Sequence, residues 1–201
     1  GDTITIRFGD TSKGSPGIRL QTFCEDSFEF HVLVDPIATC VYQPISKQPV
    51  IRIVPGSPEK WIALVPTKRK VGEKFQLRLK AVDRWGNPAS NIDTTVHLRA
   101  NGSVKGLPET VTFRPGDFVQ TVDNLSVGKS GDVSIRIEDS SGNGLCESNP
   151  MRIVEGSEFY NFWADLHGQS EETIGTNSAR RYFEFARDLA FLDATGHQGN
   201  D

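Results

Sequence analysis

Paired cysteines are missing from this chain. Cys24, Cys40 and Cys146 are the three it has in 201 residues. They are odd in number and widely spaced, with no Cys-x-x-Cys, which argues against a structural zinc cluster. Cys24 and Cys40 could pair across strands, but small buried thiols are the commoner state and the expected one. No apolar run approaches the length of a membrane span, and the opening residues do not read as a signal peptide. Gly1-Asp2 is an unusual start, so the native N-terminus is expected elsewhere. A basic stripe is also lacking. Net charge is −4 with both signs scattered, which argues against a nucleic-acid partner. The short basic run Lys68-Arg69-Lys70 reads as a solvated loop. What the chain has in quantity is turn formers, 19 Gly and 11 Pro beside 36% apolar residues, the composition of a turn-rich β protein and not of disorder. Its length suffices for one or two domains with a real core.

Residues 1–54 read as a small β region. Thr3 to Phe8 alternates, Ile18 to Phe23 and Phe28 to Val34 follow as strands, and Val50 to Val54 closes the set. His31 is expected on a polar strand face. Pro55-Gly56-Ser57-Pro58 reads as a hinge. Seven strand candidates follow over residues 55–156: Trp61 to Val65, Phe75 to Val82, Thr94 to Ala100, Glu109 to Phe113, Val119 to Leu125, Val133 to Glu138 and Met151 to Val154. Their spacing suits a β-sandwich. Phe75, Leu77, Leu79 and Ala81 share one face, as in a half-buried antiparallel strand. Asp83 to Pro88 and Asp139 to Gly144 are turns. Asp83, Asn87, Asp139 and Asn143 have the side chains for calcium, but such turns normally bond to themselves, which is the expectation here. Trp85 is expected to cap the sandwich core rather than stack on a sugar. His97 is expected to face solvent. The stretches VGEKFQLRLKAVDRWGNPA, LPETVTF and SGDVSIRIEDSSGNG resemble bacterial Ig-like domains.

Residues 157–201 are different in kind. Phe159 to Leu166 reads as a buried strand ending in Asp165-Leu166-His167-Gly168. Ala179, Tyr182, Phe183, Ala186 and Ala190 then form one helical stripe, with Thr176, Asn177 or Ser178 as N-cap. Phe191 to Thr195 is a second strand, followed by Gly196-His197. Strand, helix, strand makes a βαβ unit with parallel strands. Both histidines then fall at one rim, where parallel architectures bind ligands. Asp165 lies two residues before His167, placed to accept its ring N–H or to ligate, and Glu171 and Glu172 open the next loop. Imidazoles and carboxylates on one rim suit a Zn, Mn or Fe hydrolase site.

DLHGQS, a helix and then LDATGH resemble the opening of the polymerase and histidinol phosphatase (PHP) superfamily of metal-dependent phosphoesterases, and specifically a PHP-like branch with β-rich N-terminal regions. His167 matches the first His of a His-x-His strand end, with Gln169 at the second. His197 matches the His of Asp-His, with Gly196 at the Asp position. The resemblance implies a divalent metal (Mn, Zn or Fe) held by His167, Gln169 and His197 in a longer protein, with Asp165 behind them, and a phosphoester as substrate. It also implies a β/α barrel of roughly 200 residues or more, of which residues 157–201 are an incomplete first unit. The fold expected is thus mainly β: an N-terminal β region, an Ig-like β-sandwich and a truncated βαβ unit. On this reading the portion given is inactive by itself and holds no metal tightly. The alternative is a non-enzymatic Ig-like binding or scaffold module with a vestigial metal site. A lone βαβ unit cannot cover its own faces, so Phe159, Phe162, Trp163, Phe183 and Phe191 are expected to bury against the β regions or in self-association.

Overall fold

The computed structural model describes residues 3–156 and 158–199 and is mainly β. In the N-terminal region β1 (Glu25–Glu29) and β2 (Leu33–Val34) lead into β3 (Gln43–Pro44) and β4 (Val50–Ile53). The inner pair β2–β3 and the outer pair β1–β4 are both antiparallel. The strands expected at Thr3–Phe8 and Ile18–Phe23 do not form. Alternation gives a segment an apolar face, but a strand also needs a ladder and a cover, and Ile4 and Ile6 have neither, lying exposed. Phe8 alone finds a partner, stacking on Phe30 at 4.6 Å. Phe28–Val34 is divided, because Phe30 and Val32 turn their N–H groups to Pro49 and to the Gln48 side chain. His31 falls in that break, exposed and outside any strand, with Nδ1 3.4 Å from Glu29.

The central region holds β5 (Lys60–Leu64), β6 (Lys68–Lys70), β7 (Phe75–Val82), β8 (Thr94–Ala100), β9 (Val104–Lys105), β10 (Thr110–Phe113), β11 (Gln120–Val127), β12 (Gly131–Val133), β13 (Ile135–Glu138), β14 (Gly144–Glu147) and β15 (Met151–Val154). One sheet runs β10-β8-β13-β14, the other β5-β7-β11-β9, and a third, smaller one β12-β15-β6. The core lies between them. Leu77 and Leu79 of β7 join Val96 and Leu98 of β8, Phe113 of β10, Leu125 of β11, Ile135 and Ile137 of β13, and Met151 and Ile153 of β15 in one buried cluster. All seven expected strands are present, and β7, β8 and β15 match residue for residue. Alternation was sufficient there because each strand turns every second side chain to the core, although β7 is also covered on its other face at Lys80 and Val82.

Lys68-Arg69-Lys70 is not a loop. It is β6, parallel to β15 with Arg69 opposite Ile153. The half-buried run stays clear of a charged core by laying Arg69 and Lys70 on the Tyr160 ring, at 5.7 and 5.9 Å. The Asp83–Asn87 and Asp139–Asn143 turns are built alike. In each, the aspartate Oδ1 accepts the N–H groups two and four residues on, and the asparagine amide donates to Oδ2. Both carboxyls are held below the usual range. At Asp83, burial opposes that and the hydrogen bonds from Asn87, Gly56 and Trp85 outweigh it. Trp85 does not cap the core; it is 49% exposed, between Arg84 at 4.6 Å and Arg19 at 5.8 Å. His97 is half-buried within β8.

Asn87 also fastens the N-terminal region, accepting from Cys24 N–H at Oδ1 and donating to the Thr22 carbonyl. No disulfide links Cys24 and Cys40, and Cys40 is exposed, against the expectation of buried thiols. Burial pushes the Cys146 thiol up to about 11 and raises Cys24 as well. A thiol reagent at pH 8 is therefore expected to label Cys40 fast and the other two only once the chain is unfolded, since the thiolate is the nucleophile. Three thiols reacting at one rate would contradict this placement.

The C-terminal region carries β16 (Ala164–Gly168), α1 (Ala179–Glu184), a π-helical turn over Phe185–Leu189, and β17 (Ala194–His197). β16 and β17 pair in parallel. Both begin later than expected, because Trp163 and Asp193 bond to each other ahead of the ladder: Trp163 N–H donates to Asp193 Oδ2, and Asp193 N–H to the Trp163 carbonyl. Ser178 is the N-cap, accepting from Arg181 N–H. The π turn, closed by Ala190 N–H on the Phe185 carbonyl, adds a residue and throws the apolar stripe out of phase. Ala186 is buried, whereas Phe183 is exposed.

This region docks on β7 largely through cations. Arg78 donates to the Arg187 carbonyl and Lys80 to that of Leu189, with Lys80 4.7 Å above the Phe191 ring. Burial lowers the Lys80 pKa. Arg181 closes a second contact at 3.0 Å from Asp26 of β1. Because polar groups make these contacts, the expected burial of aromatics is met only in part, by the half-buried Phe191. Phe159, Phe162, Trp163 and Phe183 remain exposed.

Candidate functional site

The C-terminal rim of β16 and β17 is where the sequence placed its site. The ladder runs Ala164 to Ala194 and Asp165 to Thr195, then slips so that Gly168 faces His197. Neighbouring strands lie about 4.8 Å apart. His167, beside Gly168, and His197 therefore share one rim of backbone. The slip breaks the alternation, however, and their side chains have different surroundings. His167 is exposed, and its ring makes no hydrogen bond among the described residues. Asp165 does not support it: its Oδ1 accepts the His167 backbone N–H at 2.9 Å. Gln169 Oε1 lies 3.0 Å from the Thr173 hydroxyl.

His197 is held in a polar knot. Its Nε2 is 2.7 Å from Ser170 Oγ, and Ser170, fully buried, also bonds the Glu172 carboxylate. A carboxylate only accepts, and a serine has one proton to give. The Ser170 hydroxyl therefore donates to Glu172 and accepts from His197 Nε2–H, leaving Nδ1 as the ring nitrogen outside the knot. Ser170 is consequently not activated by His197, because its proton faces the wrong group. Glu172 Oε2 takes the Ala179 N–H at 2.9 Å as well, so the knot joins the rim to the start of α1.

The Ser170 hydroxyl, first, then backbone N–H groups hold the Glu172 carboxyl below its ordinary value of 4.5. A lowered folded pKa gives stability that is present above the unfolded value and lost as pH falls through the folded one. Amide protection at the start of α1, taken relative to the intrinsic exchange rate, is thus expected to fall below about pH 4.5, and Glu172→Gln to remove that acid-dependent step. An unchanged pH profile in the variant would show the knot to be idle.

Tyr182 completes the rim from below. Its hydroxyl bonds Thr195 and its ring stands edge-on to His197 at 5.8 Å. Gly168 makes room for it: a Cβ there would fall 1.9 Å from the ring. Ser170 and Tyr182 were not legible as site residues, since the contacts that define them lie 27 and 13 residues away. Among the described residues no three His, Cys, Asp or Glu side chains converge to hold a metal. Two imidazoles and an amide oxygen line the rim, and a catalytic zinc takes three protein ligands and an open position. The residues present do not make up a metal centre by themselves.

Fold and rim together define a mainly β protein: a two-sheet core with a parallel strand pair fastened to it. No family model matches the chain, and no curated protein does. Several solved structures are similar in part. The D00-D0 domain of intimin is 11% identical with a TM-score of 0.37, covering 54% of this chain and 56% of that one. A beta-glycosidase from Bacteroides vulgatus is 13% identical with a TM-score of 0.40, over 64% of this chain and 21% of that one. Domains 4 and 5 of the S-layer protein SbsC are 15% identical with a TM-score of 0.33, over 57% and 62%. The matches thus span less than two thirds of each of those chains. Likenesses of that degree carry nothing about activity.

Proposed function

We propose that the Ig-like sandwich is a scaffold for the opening unit of a PHP-like metal-dependent hydrolase domain acting on a phosphoester. The observation that carries this reading is the parallel β16–β17 pair, with His167 and His197 at the same end. The further ligands that such a centre needs come from outside the described residues. His197 Nδ1 is the nitrogen offered to a metal, and the Ser170–Glu172 knot fixes the ring that offers it. The scaffold role is supported by the contacts that Arg78 and Lys80 make to the region carrying the histidines.

Metal analysis of the full-length protein, purified without chelator, tests the reading beside its His167→Ala and His197→Ala variants. Bound Mn, Zn or Fe that falls about tenfold or more in either variant is the expected result, since a lost ligand has that order of cost. The same knot also favours a second reading, a binding module with a vestigial site, because Ser170 and Thr173 already satisfy His197 Nε2 and Gln169 Oε1. A metal-free protein with its fold intact selects that reading.

A further inference from the structure

We propose that the cleft between β5–β7 and the segments entering β16 and β17 binds a small anionic ring compound, an acidic sugar. The cleft holds about 530 Å³, within the size of small-molecule sites. Arg69, Lys74 and Arg78 line it on the sandwich side, and Phe162, Trp163 and Asp193 on the other.

The charge there is unlike that of the chain as a whole, which carries a net −4. Three cations face one carboxylate, and Asp193 Oδ2 already accepts the Trp163 N–H at 2.8 Å. Among the described residues, Lys74 and Arg78 donate to neutral oxygens, of Asn124, Arg187 and Gln76. Among the described residues Arg69 Nε is buried without a hydrogen-bond partner, though it forms a long ion pair with Glu73 at 3.8 Å. The Arg69 side chain is 23% exposed, and the open part of its guanidinium can make a charge-assisted bond to an anion.

The other wall selects the ring. Trp163 is 65% exposed and Phe162 69%, which leaves ring surface open to a ligand in the cleft. A sugar presents C–H faces to such rings and hydroxyls to amides, and Asn161, also in the wall, makes no side-chain hydrogen bond among the described residues. The cleft meets β16 at its start, whereas His167 stands near its end, roughly 13 Å along the strand at 3.3 Å per residue. The site is therefore separate from the histidine rim and independent of the metal reading.

Isothermal titration in excess EDTA tests it, with glucuronate, glucose 6-phosphate, glucose and inorganic phosphate as probes. Binding of at least one acidic sugar, about tenfold tighter than glucose or phosphate alone, is the expected result, the scale of one charge-assisted contact. Lys74→Gln and Trp163→Ala, both surface changes, should each weaken it about fivefold or more with thermal unfolding unchanged. Which acidic sugar binds tells carboxylate from phosphate recognition. Glucose binding as tightly as glucuronate, phosphate as tightly as glucose 6-phosphate, undiminished binding in both variants, or no binding to the folded protein would each overturn the proposal.

Discussion

Phe113→Ala is expected to lower the unfolding free energy of the sandwich by about 3–5 kcal/mol, the range for emptying a buried aromatic site. Phe113 is fully buried, and it reaches from β10 to the opposite sheet, where its ring meets Trp61 of β5 edge-on at 5.1 Å and 81°. The loss therefore combines transfer, cavity and an aromatic pair between the two sheets. Urea unfolding followed by Trp fluorescence measures it. Phe113→Leu, which keeps most of the volume, should cost well under half as much. Equal costs for the two variants would mean that the site collapses and the sheets are not packed at this point.

Gly168→Ala is expected to open the C-terminal region alone. The added methyl would coincide with the Tyr182 ring, so Tyr182 must leave Thr195 and the face of His197. Overpacking of this kind costs about 1–3 kcal/mol. Amide exchange in β16 and β17 should accelerate about tenfold to hundredfold, each tenfold being about 1.4 kcal/mol. The sandwich strands should keep their protection. In a Tyr182→Ala background the glycine change should cost much less, and that non-additivity separates a steric clash from a general effect. Uniform acceleration across the chain would contradict it.

These two sites differ in how far they could be read beforehand. β7, β8 and β15 were legible to the residue because their core-facing side chains recur at every second position, even where the far face of β7 is also covered, at Lys80 and Val82. The same alternation at Thr3–Phe8 was misleading, since periodicity reports a possible face and not the presence of a partner. β6 was hidden for the opposite reason. Its three cations look like surface, and the Tyr160 ring that receives Arg69 and Lys70 in the sheet lies some ninety residues on. At the rim, the order of elements and the two histidines were legible. The ladder slip between Asp165 and Gly168 was not, and it gives the two imidazoles different surroundings. Nor was the Ser170–Glu172–His197 knot, because proton counting requires knowing which side chains meet.

The parallel pairing of β6 with β15 has a kinetic meaning. It joins Lys68 to Arg152, so the sandwich closes only after the chain between them has been made and collapsed. Contacts this distant in sequence slow folding into the millisecond-to-second range. During synthesis, the early strands must wait with an open edge while the later ones emerge, an interval in which such edges are prone to mispair. Arg69 takes its place in the cleft wall only when that last strand arrives. A ligand that recognises the finished wall should slow its reopening, acting as a latch on the step that completes the fold.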